Sequence, residues 1–247
     1  MQDVMNSKCI VILANDPEKS GDLSALVPVL GKRKTAYLGR AMFFDTLVLC
    51  LSISKTDLII YYSPDSSKDR FEQNLRLLAH EEREPELIDR LESIKLFPQN
   101  GQTVMEHIAN AYAHMFKLGY QQVAMVGSYC LPLDHHLINA GFLLLNENDI
   151  VVGPSFSGRY YLFGMSKWMP QVFSGVRWES NDFYVRLNEN LKDANAKVQE
   201  LELSYEVYSP DELNQLIVDI ERWRSLGDDR TAYHTEQFLR AIQEELV

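Results

Sequence analysis

Short apolar runs alternate with segments of helical spacing along most of this chain, and no other feature constrains its fold as strongly. "KCIVILA" (8–14), "DLIIYYS" (57–63), "SIKLFP" (93–98), "QQVAMVGS" (121–128), "DIVVGP" (149–154) and "RYYLFGM" (159–165) have the length and apolarity of buried strands. From Thr35 to about Ser52, Tyr37, Ala41, Phe44, Val48 and Leu51 recur on one helical face. A charged helix is predicted over roughly 68–82, and the acidic stretch 81–92 reads as a solvated surface segment. "TVMEHIANAYAHMFKLG" carries a stripe of Val104, Ile108, Ala111, Tyr112 and Met115 and stops at Gly119. Further helices are expected over 134–145, near 181–193 before "KVQELELSYEV" (197–207), from Pro210, and over 230–246 with Leu239, Ile242 and Leu246 aligned. Strands and helices in alternation, joined by short links, imply a mainly parallel sheet covered on both faces.

The chain has 247 residues, 46% hydrophobic and 24% charged, enough for one large domain with a real core. Its net charge of −11 argues against a nucleic-acid surface and against adhesion to anionic membranes. No apolar run is long enough to span a bilayer, and "MQDVMNSK" has no apolar targeting core. The three cysteines, Cys9, Cys50 and Cys130, have no zinc or disulfide spacing. Cys9 and Cys50 read as buried thiols; Cys130 reads as a buried thiol or a nucleophile. A reduced, cytoplasmic protein is expected.

The stretch "VGSYCLPLD" (126–134) follows a buried strand, at the place where open α/β sheets carry their chemistry. With it stand "ILANDPEKSGDLSALVPVLG" (12–31), "GPSFSGRYYLFG" (153–164), Trp178 and "YEVYSPDEL" (205–213). In order and spacing these resemble a bacterial family with the GT-A, nucleotide-diphospho-sugar transferase fold. That family is related to molybdenum-cofactor guanylyltransferase-like proteins and labelled as glycosyltransferases. Its pattern is K-x-P-x-P-G-x-V-K-T-R-L-x-P-x-L-G, then G-S-D-C-P-x-L, G-P-x-x-D-G-G-Y-Y-L-L-G, a W-S-T, and D-V-D-T-P-x-D-L. Pro17, Leu26, Pro28, Leu30 and Gly31 agree with the first motif, and the resemblance runs from about Cys9 to Leu213. It implies an α/β three-layer sandwich with a mostly parallel central sheet. One such domain would span 1–247, with 228–247 as a C-terminal helical extension that docks on its own domain or on a second subunit.

The departures concern the groups this chemistry requires. The family's phosphate-loop cations fall on Asn15, Leu23 and Ala25, and its loop glycine on Ser20. The acid after G-S becomes Tyr129, the acid of D-G-G becomes Ser157, and the next glycine but one becomes Arg159. The acids of the last motif become Glu206 and Tyr208. Phosphates need cations or backbone N–H groups, and divalent ions need hard oxygen ligands. The resemblance therefore implies a scaffold whose ancestral metal and phosphate site is lost, leaving no cofactor. The cleft glycines Gly127, Gly153 and Gly158 are kept.

Ligand candidates are Asn15, Ser128, Tyr129, Ser157, Gly158, Arg159, Tyr160 and Trp178, with Glu179 and Asp182 as replacement acids or exposed helix-start acids. Tyr129 either stacks on a ligand or fills the vacated metal site. Tyr160 and Tyr161 should face opposite ways, and Trp178 is a pocket wall or a packing anchor. Arg159 either receives an anion or pairs with Glu179 or Asp182. His135 and His136, adjacent on a helix, read as a surface turn rather than a metal pair. His107 stands where the family has an arginine, after Glu106, which agrees. Three functions fit: a catalytically degenerate binding or structural module, a transferase with an altered, metal-independent site, or a small-molecule sensor. The partners allowed are a sugar nucleotide or other small anion, and a second copy or another protein; nucleic acid and membrane are not expected.

Overall fold

The computed structural model describes residues 6–16, 19 and 22–244. Among them seven strands form one sheet: β1 (Lys8–Asn15), β2 (Asp57–Ser63), β3 (Lys95–Pro98), β4 (Gln122–Val126), β5 (Ile150–Pro154), β6 (Tyr160–Met165) and β7 (Val198–Glu200). Their spatial order is β3-β2-β1-β4-β6-β5-β7. Every neighbouring pair is parallel except the two that include β6, which runs antiparallel to β4 and to β5. The sheet is therefore mostly parallel, as the alternation of apolar runs and helical stripes requires.

Among the described residues the α-helices are α1 (Val27–Leu51), α2 (Lys68–Glu81), α3 (Pro85–Glu92), α4 (Val104–Lys117), α5 (His135–Leu144), α6 (Phe183–Asp193), α7 (Pro210–Ser225) and α8 (Tyr233–Glu244). Strand alternation divides the core. Ile10, Ile12 and Ala14 of β1 meet α1, α2 and α5 on one face, whereas Cys9 and Val11 meet α4 and α6 on the other. A third cluster, between α1, α7 and α8, gathers Leu26, Leu38, Met42, Leu213, Leu216, Ile220 and Leu239. The layers are α/β/α, the expected three-layer sandwich, with α7 and α8 added beside α1. Among the described residues no helix is long and apolar enough to cross a membrane.

Two elements differ from the sequence reading. α1 begins at Val27 rather than Thr35, and its axis breaks at Gly31, whose φ of 76° a side chain would resist. That is a physical reason for the glycine at this point of the first motif. The stretch 81–92 is not wholly solvated: α3 occupies 85–92, opened by Pro85 and packed through Leu87 and Leu91. Arg90 anchors it, its guanidinium donating to the carbonyls of Leu51, Ile53 and Thr56.

The predicted last helix docks on its own domain. The Asp45 carboxylate of α1 accepts the backbone N–H groups of His234 (2.8 Å) and Thr235 (2.9 Å), and the Thr235 hydroxyl (2.6 Å). Asp45 thus caps the first turn of α8 from another helix. Arg224 of α7 pairs with Glu236 at 2.6 Å. Pro17, Ser20 and Leu246 lie outside the described residues.

Candidate functional site

The carboxyl ends of the parallel strands β1 and β4 open on a cavity of about 510 Å³. β6 is antiparallel, so its first residues reach the same edge. The cavity takes Asn15 from β1, Gly127, Ser128 and Tyr129 after β4, Ser157, Arg159 and Tyr160 from the turn into β6, and Trp178. Val104, His107 and Ile108 of α4 close one wall, and Glu206 and Tyr208, ahead of α7, close another. Of the ten candidates from sequence, Gly158, Glu179 and Asp182 are outside this lining. Glu179 and Asp182 are exposed, and Asp182 accepts from the Ser180 hydroxyl, which holds its carboxyl below the ordinary range.

Ser128 is occupied structurally. Its hydroxyl donates to the Leu13 carbonyl at 3.0 Å, and its own carbonyl accepts from Thr46 at 3.0 Å, tying β4 to β1 and α1. Asn15 donates to both carboxylate oxygens of Asp22, at 2.8 and 3.0 Å. Tyr129 is 5% exposed, meets Tyr208 edge-on, and packs in the same apolar cluster as Leu23, Leu26, Met42 and Val207. Burial pushes its hydroxyl further from ionisation. Leu23 and Tyr129 occupy positions where the resembling family has a cation and an acid, and they now share one core.

Cys130 is buried and its thiol is raised by burial, so it has no nucleophile's environment. His135 and His136 are exposed in the first turn of α5, which Asp134 caps by accepting from the Leu137 N–H at 2.8 Å.

Tyr160 and Tyr161 do face opposite ways. The Tyr161 hydroxyl donates to the Glu202 carbonyl at 2.8 Å on one side of the sheet. Tyr160 lies on the other side, against Trp178 (5.4 Å between ring centroids) and Phe183 (5.7 Å). Trp178 is therefore both cavity wall and packing anchor. Arg159 does not pair with Glu179 or Asp182; its guanidinium lies over the rings of Phe183 (5.1 Å) and Trp178 (5.8 Å).

The residue that sequence reasoning passed over is Glu206. It is 3% exposed and lines the cavity. Burial pushes its carboxyl up to about 7, against the opposing influence of Ser155, Tyr208 and Arg159. A Cβ on Gly127 would sit 2.6 Å from its Oε1, so that glycine makes room for the carboxyl. Gly153 makes room for a ring instead, since a Cβ there would fall 2.5 Å from Tyr161. The signal for Glu206 was present in the sequence, because an acid replaces an acid in "YEVY".

The resemblance raises a divalent metal, and the donors do not fit one. The phenols of Tyr129 and Tyr208 replace acids, Asp22 is turned to Asn15, and burial favours the protonated form of Glu206. Among the described residues no group of three His, Cys, Asp or Glu could hold a metal ion.

Comparison with known structures places the fold among nucleotide-diphospho-sugar transferase-like proteins. A Desulfovibrio desulfuricans G20 protein provisionally assigned as a nucleotide-diphospho-sugar transferase superposes with a TM-score of 0.81. It is 27% identical, over 97% of this chain and 96% of its own. CMP:2-keto-3-deoxy-manno-octonic acid synthetase, in complex with CTP, matches at a TM-score of 0.54 and 11% identity, over 87% of this chain and 99% of its own. The 4-diphosphocytidyl-2C-methyl-D-erythritol synthase of Anaerococcus prevotii matches at 0.56 and 9%, over 90% and 100%. These last two share the fold alone. No curated protein matches the chain. Residues 46–180 match the family described as "Uncharacterized protein conserved in bacteria (DUF2064)", and the chain belongs to that family.

Proposed function

We propose that this protein keeps the nucleotide-diphospho-sugar transferase fold as a small-ligand-binding module whose metal and phosphate positions have been rebuilt as core. The observation that carries the reading is the joint burial of Leu23 and Tyr129 in one apolar cluster. Two departures from separate motifs are packed against each other, so restoring either polar group alone would place it in an apolar site. The remaining cavity is lined by polar and aromatic groups, with Arg159, Asp22 and Glu206 among them, which suits a sugar or other small polar ligand without a metal.

The test is calorimetry with UDP-glucose, GDP-mannose and CTP, with and without manganese. No manganese-dependent binding is expected, and Tyr129→Asp alone should not create it. Micromolar binding that requires manganese would remove the reading.

A second reading, a transferase that works without metal, is favoured by Glu206, a buried cavity carboxyl poised near neutrality. It calls for turnover of a sugar nucleotide in the presence of EDTA, abolished in Glu206→Gln. Turnover that survives Glu206→Gln would exclude that role.

A further inference from the structure

Arg159 stands just before β6 and is half-buried. Its guanidinium lies over the rings of Phe183 and Trp178, at 5.1 and 5.8 Å. A guanidinium held over rings keeps N–H groups that can still donate. Among the described residues no ion pair or hydrogen bond uses those groups. The cation therefore rests on two rings with no ion pair of its own, although its charge reaches Glu206.

The next residue, Tyr160, lines the same cavity and packs on the same two rings. Successive strand residues normally face opposite ways, but the β5–β6 register shifts at Gly153 and Pro154, and such irregularities re-aim side chains. Tyr160 is 4% exposed, and its hydroxyl is buried with no hydrogen-bond partner. Folded proteins rarely leave such a group unsatisfied unless a water, ligand or ion completes it. Two unused donors, one charged and one buried, thus adjoin in one cavity.

The cavity's charge limits what they can receive. Its acids, Asp22 and Glu206, would repel a ligand with several negative charges, against the cation of Arg159. Asp22 is turned to Asn15, and Glu206 feels the Arg159 charge without forming an ion pair with it. Arg159 offers a ligand one positive charge, which serves a single oxyanion better than a diphosphate. About 510 Å³ suits a ligand the size of one sugar ring with its substituent.

We propose that Arg159 and Tyr160 form an oxyanion subsite that takes the single phosphate or carboxylate group of a monosaccharide-sized ligand. It rests on the reading of the cleft as a metal-independent ligand site and names the ligand class for it.

The experiment is calorimetry on the full chain in EDTA, with glucose 1-phosphate, glucuronate and neutral glucose as probes. At least one of the two anions should bind more than tenfold tighter than glucose, and which one does identifies phosphate or carboxylate as the group read. Arg159→Gln should weaken that binding roughly ten- to a hundredfold, the worth of a charge-assisted hydrogen bond. Tyr160→Phe should weaken it roughly fivefold and leave the melting temperature of the free protein unchanged or higher, since it removes an unsatisfied hydroxyl. If Arg159→Gln does not fold, Arg159→Lys should show a smaller loss, because it keeps the charge and loses the fork. Absence of anion binding to the wild type, or equal binding by wild type and both variants, overturns the subsite. Glucose bound as tightly as the better-bound anion also overturns it and leaves the metal-independent cleft standing. Manganese-dependent binding of a nucleotide sugar would remove the cleft reading, and the metal-free comparison of probes would still decide the subsite.

Discussion

At Gly127 a single missing side chain determines where the cavity's acid can sit. A Cβ there would lie 2.6 Å from the Glu206 Oε1, closer than packed atoms approach. Gly127→Ala should therefore push the flexible Glu206 carboxyl aside, at a cost of about 1 kcal/mol in urea unfolding, the low end for overpacking a filled site. Glu206→Ala removes the obstruction, so the two substitutions together should be less destabilising than their sum, by about 1 kcal/mol. Strict additivity would show that the two residues do not share this space. The glycine and the acid were both legible in the motifs. Their contact was not, because it joins the end of β4 to the segment before α7, and no local pattern records which residues meet across that distance. The same limit applies to Leu23 and Tyr129. Each was readable as a departure, but only packing reveals that one compensates the other.

Among the elements, α4 followed its stripe closely: Ile108, Ala111, Tyr112 and Met115 are buried as the spacing required. α3 did not, because acidic residues surround a short apolar face and its anchor is Arg90, bonded to carbonyls of a distant segment. α8 is the element with the most testable attachment. Its first turn is capped by Asp45, which satisfies N–H groups that a helix start leaves open. Asp45→Ala would strand those donors and the Thr235 hydroxyl, and should cost about 1–3 kcal/mol. Amide exchange should accelerate across 233–244 before the sheet is affected, since helices attached through few anchors open locally. Unchanged exchange in that segment would mean that the apolar contacts of Leu239 and the Arg224–Glu236 pair at 2.6 Å hold α8 without the cap.

For the molecule as a whole, two buried acids fix the direction in which stability depends on pH. Burial raises the Asp45 carboxyl from 3.8 to about 6 and that of Glu206 from 4.5 to about 7. A group that binds its proton more tightly when folded favours folding in acid. Its contribution is complete below the unfolded value and lost as pH rises through the folded one. Each should therefore withdraw about 2–3 kcal/mol, Asp45 between pH 4 and 6 and Glu206 between pH 4.5 and 7. Asp149, Asp228 and Glu236 act oppositely: burial alone would raise them, but neighbouring cations and hydrogen bonds bring them below their ordinary values. Their contribution fades only in stronger acid, below about pH 4. The net charge of −11 adds self-repulsion as the remaining acids ionise, in the same direction as Asp45 and Glu206. Urea unfolding should consequently show maximal stability near pH 4–5 and a decline toward pH 7.5, in contrast to proteins stabilised by salt-bridged carboxylates. Glu206→Gln isolates one component, because its amide stays neutral at every pH. The gap between variant and wild type should shift in the variant's favour by about 2–3 kcal/mol between pH 4.5 and 7. A constant gap across that window would mean that Glu206 ionises as freely as an exposed acid, and the cavity would then carry a full negative charge beside Arg159 at neutral pH.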